Sequence, residues 1–110
     1  MDAEQALAFA LTLPGAWPDN PFHENRQLAK VGSKIFCFPG STTLAVKNTA
    51  EKVEELKRRY PEATGPAPYL DKRLWVQVTV AQLPADEIRE LIEDSYDLVV
   101  AKLPVRERPT

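Results

Sequence analysis

An α+β domain, built as a two-layer sandwich with a largely antiparallel sheet and helices on one face, is what three stretches of this 110-residue chain predict. Residues 74–80, Leu-Trp-Val-Gln-Val-Thr-Val, alternate without a fault, as a half-buried strand must. Residues 84–103 place Ile88, Leu91, Ile92, Ser95, Tyr96, Val99 and Leu103 on one stripe of a 3.6-residue period, an amphipathic helix with a face to bury. Gly32-Ser33 separates two apolar runs in the order that a type II′ hairpin turn uses. The connections suit hairpins, and the predicted order is α-β-β-β-α-β-β-α.

Taken in order, Asp2 with Gln5 forms a capping box for a first helix, whose apolar stripe is Ala3, Leu7, Ala10 and Leu11. Leu13-Pro14-Gly15 ends it. Residues 14–25 contain Pro14, Pro18 and Pro21, and are expected as an ordered loop anchored by Trp17 and Phe22. Strands follow at 26–31 and 34–38. Strict alternation puts Leu28, Lys30, Ile35 and Cys37 on one face and Ala29, Val31, Lys34, Phe36 and Phe38 on the other, and the pattern leaves open which is core. After Pro39-Gly40-Ser41 a strand at 42–47 points Leu44 and Val46 one way and Thr43, Ala45 and Lys47 the other.

Asn48 and Glu51 form a capping signature for a helix reaching Tyr60, with Glu54–Arg58 and Glu55–Arg59 pairs at i, i+4 on its outer side. A proline-rich connection at 61–68 leads to a short strand at Tyr69-Leu70 and a turn at Asp71-Lys72-Arg73. In the next strand Leu74, Val76, Val78 and Val80 should meet the helices, which leaves Trp75 on the far side of the sheet. The last helix has Pro84 at its first position, Asp86 and Glu87 at the positive end of its dipole, and Pro104 as its stop. The rival for Tyr96–Val100 is a strand, since Tyr and Val-Val favour β structure. Residues 1–103 are expected as a single domain, and 104–110 as a frayed C-terminal tail.

Composition excludes more than it assigns. Charged residues are 27% and hydrophobic residues 44% of the chain, ordinary for a globular protein, and the net charge of −2 argues against broad affinity for polyanions. No apolar run is long enough to span a bilayer, so the expectation is a cytoplasmic protein without membrane contact. A single cysteine, Cys37, excludes an internal disulfide and any multi-cysteine metal site. Between Phe36 and Phe38 it reads as a buried, inert thiol.

His23 is the only histidine and has no ligand-type partner nearby. Glu87, Glu90, Asp94 and Asp97 share a helix face that reads as solvated rather than as a cation site. Neither a phosphate loop, a zinc pattern nor a nucleophile elbow occurs. The expectation is therefore no catalytic residue, no cofactor and no metal. Trp75 is the exception to this blandness. An indole on the helix-free side either packs under Pro66 or Pro68 or offers a stacking platform. Lys34, Lys47, Tyr69, Lys72 and Arg73 are expected around it, and aromatics among cations on an open sheet face are suited to bases and phosphates.

These residues also carry a family likeness. Leu13-Pro14-Gly15 with Pro21-Phe22, Lys30 to Phe36, Leu44 to Lys47, Tyr60-Pro61, Lys72-Arg73-Leu74-Trp75 with Val78, and Ser95 to Pro104 together resemble the MmcQ/YjbR family of small bacterial proteins, over nearly the whole chain. The resemblance implies a fold similar to type III secretion chaperones, frataxin-like sandwiches and the double-wing DNA-binding domain of the phage transcription factor MotA. It also implies DNA as the nominal ligand, with no established catalytic residue. Members commonly show Gly-Tyr-His-Met-Asn-Lys where this chain has Ala67-Pro68-Tyr69-Leu70-Asp71-Lys72, so the histidine is missing while Lys72 and Trp75 are kept. Two functions follow as expectations: a noncatalytic DNA-binding protein working through the open sheet face, and, alternatively, a chaperone-like module that binds a protein partner.

Overall fold

The structure, a computed structural model, describes residues 1–22 and 26–109, so the reading of His23 lies outside it. Its elements are α1 (Ala3–Ala10), β1 (Ala16–Asp19), β2 (Leu28–Val31), β3 (Lys34–Pro39), β4 (Thr43–Lys47), α2 (Ala50–Arg59), β5 (Thr64–Gly65), β6 (Trp75–Thr79) and α3 (Ala85–Lys102). Short 3-10 turns occupy Val80–Gln82 and Val105–Glu107. The strands form one six-stranded sheet in the order β1-β2-β3-β4-β6-β5, with every neighbouring pair antiparallel.

The predicted fold class holds, and the helix stripe is the reason. Ile88, Leu91, Ile92, Ser95 and Val99 of α3 are buried, and the aliphatic residues pack with Leu44, Val46, Val76 and Val78 of the sheet, Val53 and Leu56 of α2, and Ala6 and Ala10 of α1. Tyr96–Val100 lies within α3, so the strand alternative fails. The capping box of α1 forms with both hydrogen bonds, Gln5 N to Asp2 Oδ1 at 2.8 Å and Asp2 N to Gln5 Oε1 at 3.0 Å.

Several local expectations are corrected. Residues 16–19 are an edge strand and not a loop; Pro18 is tolerated because β1 has a neighbour on one side only. The strand expected at Tyr69-Leu70 instead forms at Thr64–Gly65, opposite Val78 and Gln77. Thr49, not Asn48, caps α2 through a 3.2 Å bond from Lys52 N, and α3 begins one residue after Pro84. Glu54 pairs with Lys57 at 3.5 Å rather than with Arg58. Leu74 is only half-buried and stays outside the core that takes Val76, Val78 and Val80. The tail is not frayed through residue 109. Glu107 Oε1 accepts from Ser33 N at 2.9 Å, and Arg108 Nε donates to Leu103 O at 3.0 Å.

The hairpin at Gly32-Ser33 is as expected, with Val31 opposite Lys34 and Gly32 at φ +57. A side chain there would be strained, and its Cβ would lie 3.0 Å from Leu103 Cδ1. Below this turn strict alternation breaks. Ala29 faces Cys37 but Lys30 faces Ile35, so Phe36 is an extra residue, a bulge. Phe36 and Cys37 both enter the helix-side core, the former edge-on to Tyr96 of α3 with centroids 5.3 Å apart. Ile35 and Phe38 both fall on the open side.

Ser95 explains how the sheet survives beside the bulge. Gly40 N bonds Thr43 O, and counting along the ladder by twos makes Phe36 and Lys47 the next pair due to exchange hydrogen bonds. Instead the buried Ser95 hydroxyl accepts from Lys47 N at 2.9 Å and donates to Phe36 O at 2.6 Å. A helix side chain thus completes the sheet, and α3 is stitched to β3 and β4.

Candidate functional site

Facing away from the helices, the sheet carries a second set of side chains. The β4–β6 register pairs Lys47 with Trp75, Ala45 with Gln77 and Thr43 with Thr79 on this side. At the other margin Trp17 faces Lys30 and Asp19 faces Leu28. The Lys30 ammonium sits 5.4 Å from the Trp17 ring centre and 2.7 Å from an Asp19 carboxylate oxygen, while Trp17 Nε1 donates to Gly32 O at 2.9 Å. The hydrogen bond from Lys30 holds the Asp19 carboxyl below the usual range. Lys30 is thereby neutralised within the fold.

Between these margins runs a groove of about 620 Å³, a size typical of ligand sites. Ile35, Phe38 and Ala45 from the strands line it, together with Phe22 and the Pro68–Leu70 segment, which crosses the open face. Phe22 stacks on Phe38 with centroids 5.8 Å apart and planes 20° from parallel. Arg26, Thr43 and Gln77 supply its polar groups. Leu28 and Ala45, on this side of their strands, are buried without joining the helix-side core. Tyr69 stands on the rim, fully exposed and at φ +66.

The cluster expected around Trp75 is assembled in part. Lys47 and Trp75 are direct cross-strand partners, and Trp75 is half-buried, while Pro66 and Pro68 are exposed. Lys72 and Arg73 lie in the turn entering β6, where Leu74 N and Trp75 N both bond Asp71 O. Tyr69 belongs to the groove. Lys34 is not brought in: it pairs with Val31, whose side chain is in the helix-side core, so the register turns Lys34 to that side. Asp71 is the residue that sequence reasoning underrated. Its carboxylate accepts from Arg73 N at 2.9 Å and lies 3.5 Å from the guanidinium. The Arg73 N–H, the Arg73 side chain and then Lys47 hold the Asp71 carboxyl below its ordinary value. One carboxylate therefore tempers the cations closest to Trp75.

Arg26, Phe22, Phe38 and Gln77 were missed as site residues. Gln77 had a signal, being a polar position of the alternating strand. Phe38 had none, because only the bulge places it on this side. The other chemical candidates stay inert or structural. Burial pushes the Cys37 thiol up to about 12. Glu87 is not part of a solvated face: its Oε2 accepts from Tyr60 Oη at 2.6 Å and its Oε1 lies 3.2 Å from Arg59, joining α2 to α3. That bond to Glu87 raises the Tyr60 phenol above its ordinary value. Among the described residues no group of three or more His, Cys, Asp or Glu could hold a metal ion, and no helix is long and apolar enough to cross a membrane.

Fold and face together define a small α+β domain whose single antiparallel sheet is sealed by helices on one side and grooved on the other. The chain belongs to the YjbR family, whose model matches residues 11–98. It is similar to a Deinococcus radiodurans protein with a DUF419 domain, at 28% identity and a TM-score of 0.86, covering 96% of this chain and 84% of that one. A Pseudomonas syringae protein shares the fold: its crystal structure has a TM-score of 0.73 at 23% identity, over 89% of this chain and 98% of that one. Its solution structure gives 0.67 at 24%, over 89% and 92%. No curated protein matches the chain.

Proposed function

We propose that the domain is a noncatalytic binding protein and that it takes DNA on the open face of the sheet. One observation carries this reading: the exposed aromatics Phe22 and Tyr69 line one groove with Arg26, on the sheet face that also carries Trp17 and Lys47, and the exposed Lys72 and Arg73 lie in the turn entering β6, although the chain as a whole is negative. Lys30 is neutralised by Asp19, and beside Trp75 the Asp71 carboxylate faces Arg73 and Lys47. Cations beside flat rings can neutralise phosphates and stack on bases at once. The apolar lining of the groove favours a second reading, a segment of a protein partner, which would bind with little dependence on salt.

The two are separated by titrating duplex and single-stranded oligonucleotides at low and near-physiological salt. DNA binding should weaken steeply with salt, in proportion to the phosphates neutralised. Lys72→Ala and Arg73→Ala should each lower the salt slope by about one unit, and Trp75→Ala should cost about 1–3 kcal/mol of binding where bases are unstacked. Absence of binding at low salt, where attraction to phosphate is strongest, overturns the DNA reading and leaves the protein partner.

A further inference from the structure

Tyr69 is an awkward residue for the place it holds. Its backbone lies at φ +66, a region where a bulky L side chain is strained and glycine or asparagine is at ease. Its side chain is fully exposed, so the fold gains no burial from the ring in return. Strain kept in an exposed residue at the mouth of a groove is a sign of work done on a ligand. Around it the site is shaped for something flat: the Phe22–Phe38 stack forms one wall, Gln77 presents a carboxamide with donor and acceptor together, and Arg26 supplies a cation.

We infer that the groove receives an unstacked base of a single strand, that Tyr69 stacks on that base, and that Arg26 meets the strand's phosphates. A base inside a duplex is already stacked and cannot enter, so the site selects single-stranded over double-stranded nucleic acid. This deepens the DNA reading and rests on it. It moves the contact that chooses the strand from Trp75 to the groove.

The experiment is a low-salt titration of a ten-nucleotide thymidine strand and an abasic strand of equal length, with the parent, Tyr69→Gly and Tyr69→Phe, alongside thermal melts. The parent should bind the thymidine strand more tightly than the abasic one. Tyr69→Gly should melt at or above the parent's temperature yet bind the thymidine strand on the order of tenfold or more weakly, with abasic binding unchanged. Tyr69→Phe should keep both affinities. The inference is overturned if Tyr69→Gly binds the thymidine strand like the parent, if it melts well below the parent, or if the parent does not distinguish the two strands. Each of those results leaves DNA binding standing through phosphate contacts. Failure of the parent to bind either strand overturns the DNA reading itself, and this inference with it.

Discussion

Strands β4 and β6 share five cross-strand pairs, and the two sets of side chains these carry have opposite fates. Leu44, Val46, Val76 and Val78 point into the helices and are wholly buried. Lys47, Ala45, Gln77 and Trp75, from the same strands, line or border an open groove. The backbone is identical for both sets, so the difference comes from what each face is given to pack against. The helix face receives a continuous apolar stripe. Among the described residues the other receives Phe22, Arg26 and the Pro68–Leu70 segment, which line an open groove rather than fill it.

The sharpest way to break this contrast is to place a charge on each face in turn. Val78→Asp would bury a carboxylate with no partner, at a cost of several kcal/mol out of a total of about 5–15, and should unfold the domain. Gln77→Glu, one residue earlier, should change stability by no more than about 0.5 kcal/mol. Equal melting temperatures for the two variants would show that the faces are not as assigned.

A smaller effect is expected where the two layers are joined. Ser95→Ala deprives Lys47 N and Phe36 O of their shared partner and should cost about 1–3 kcal/mol in denaturant titration. Amide exchange at Lys47 should quicken in the same variant. A loss below about 0.5 kcal/mol would mean that the two backbone groups close on one another once the hydroxyl is gone.

The smallest change is on the open face. Asp71→Asn keeps an oxygen to accept from Arg73 N while removing the charge that tempers Arg73 and Lys47. Oligonucleotide affinity at low salt should rise about two- to fivefold, with the melting temperature close to the parent's. Acid reaches the same state only below the ordinary carboxylate range, because the folded-state value is lowered. What Asp71 contributes to stability is present above its unfolded value and is lost as pH falls through the lowered one. Unchanged affinity in Asp71→Asn would remove this turn from the binding surface.

The helix face was legible because alternation and the 3.6-residue period are both driven by burial against the same partner. Val76, Val78, Ile88, Leu91, Ile92 and Val99 could be read directly. The open face was legible only where alternation was unbroken, as at Trp75 and Lys47. The bulge at Phe36 has no local sequence mark and inverts the assignments of Cys37 and Phe38, so the groove wall was invisible. Lys34 was misplaced for a related reason, since proximity along the chain says nothing about which side a register selects. Edge strand β1 was hidden by Pro18, because the rule against proline in strands holds for central strands and relaxes at a margin.

That proline has a further consequence. A sheet with a bare apolar groove on one face would be hazardous in a crowded solution if its margins could also zip to those of another copy. Here neither margin offers a long row of free backbone groups. β1 is four residues long and one of them, Pro18, has no N–H to give, while β5 at the far margin is two residues long. Both margins are therefore blunted as templates for pairing with another sheet. An uncovered groove on the face is thus kept apart from margins that are poor templates for pairing between copies.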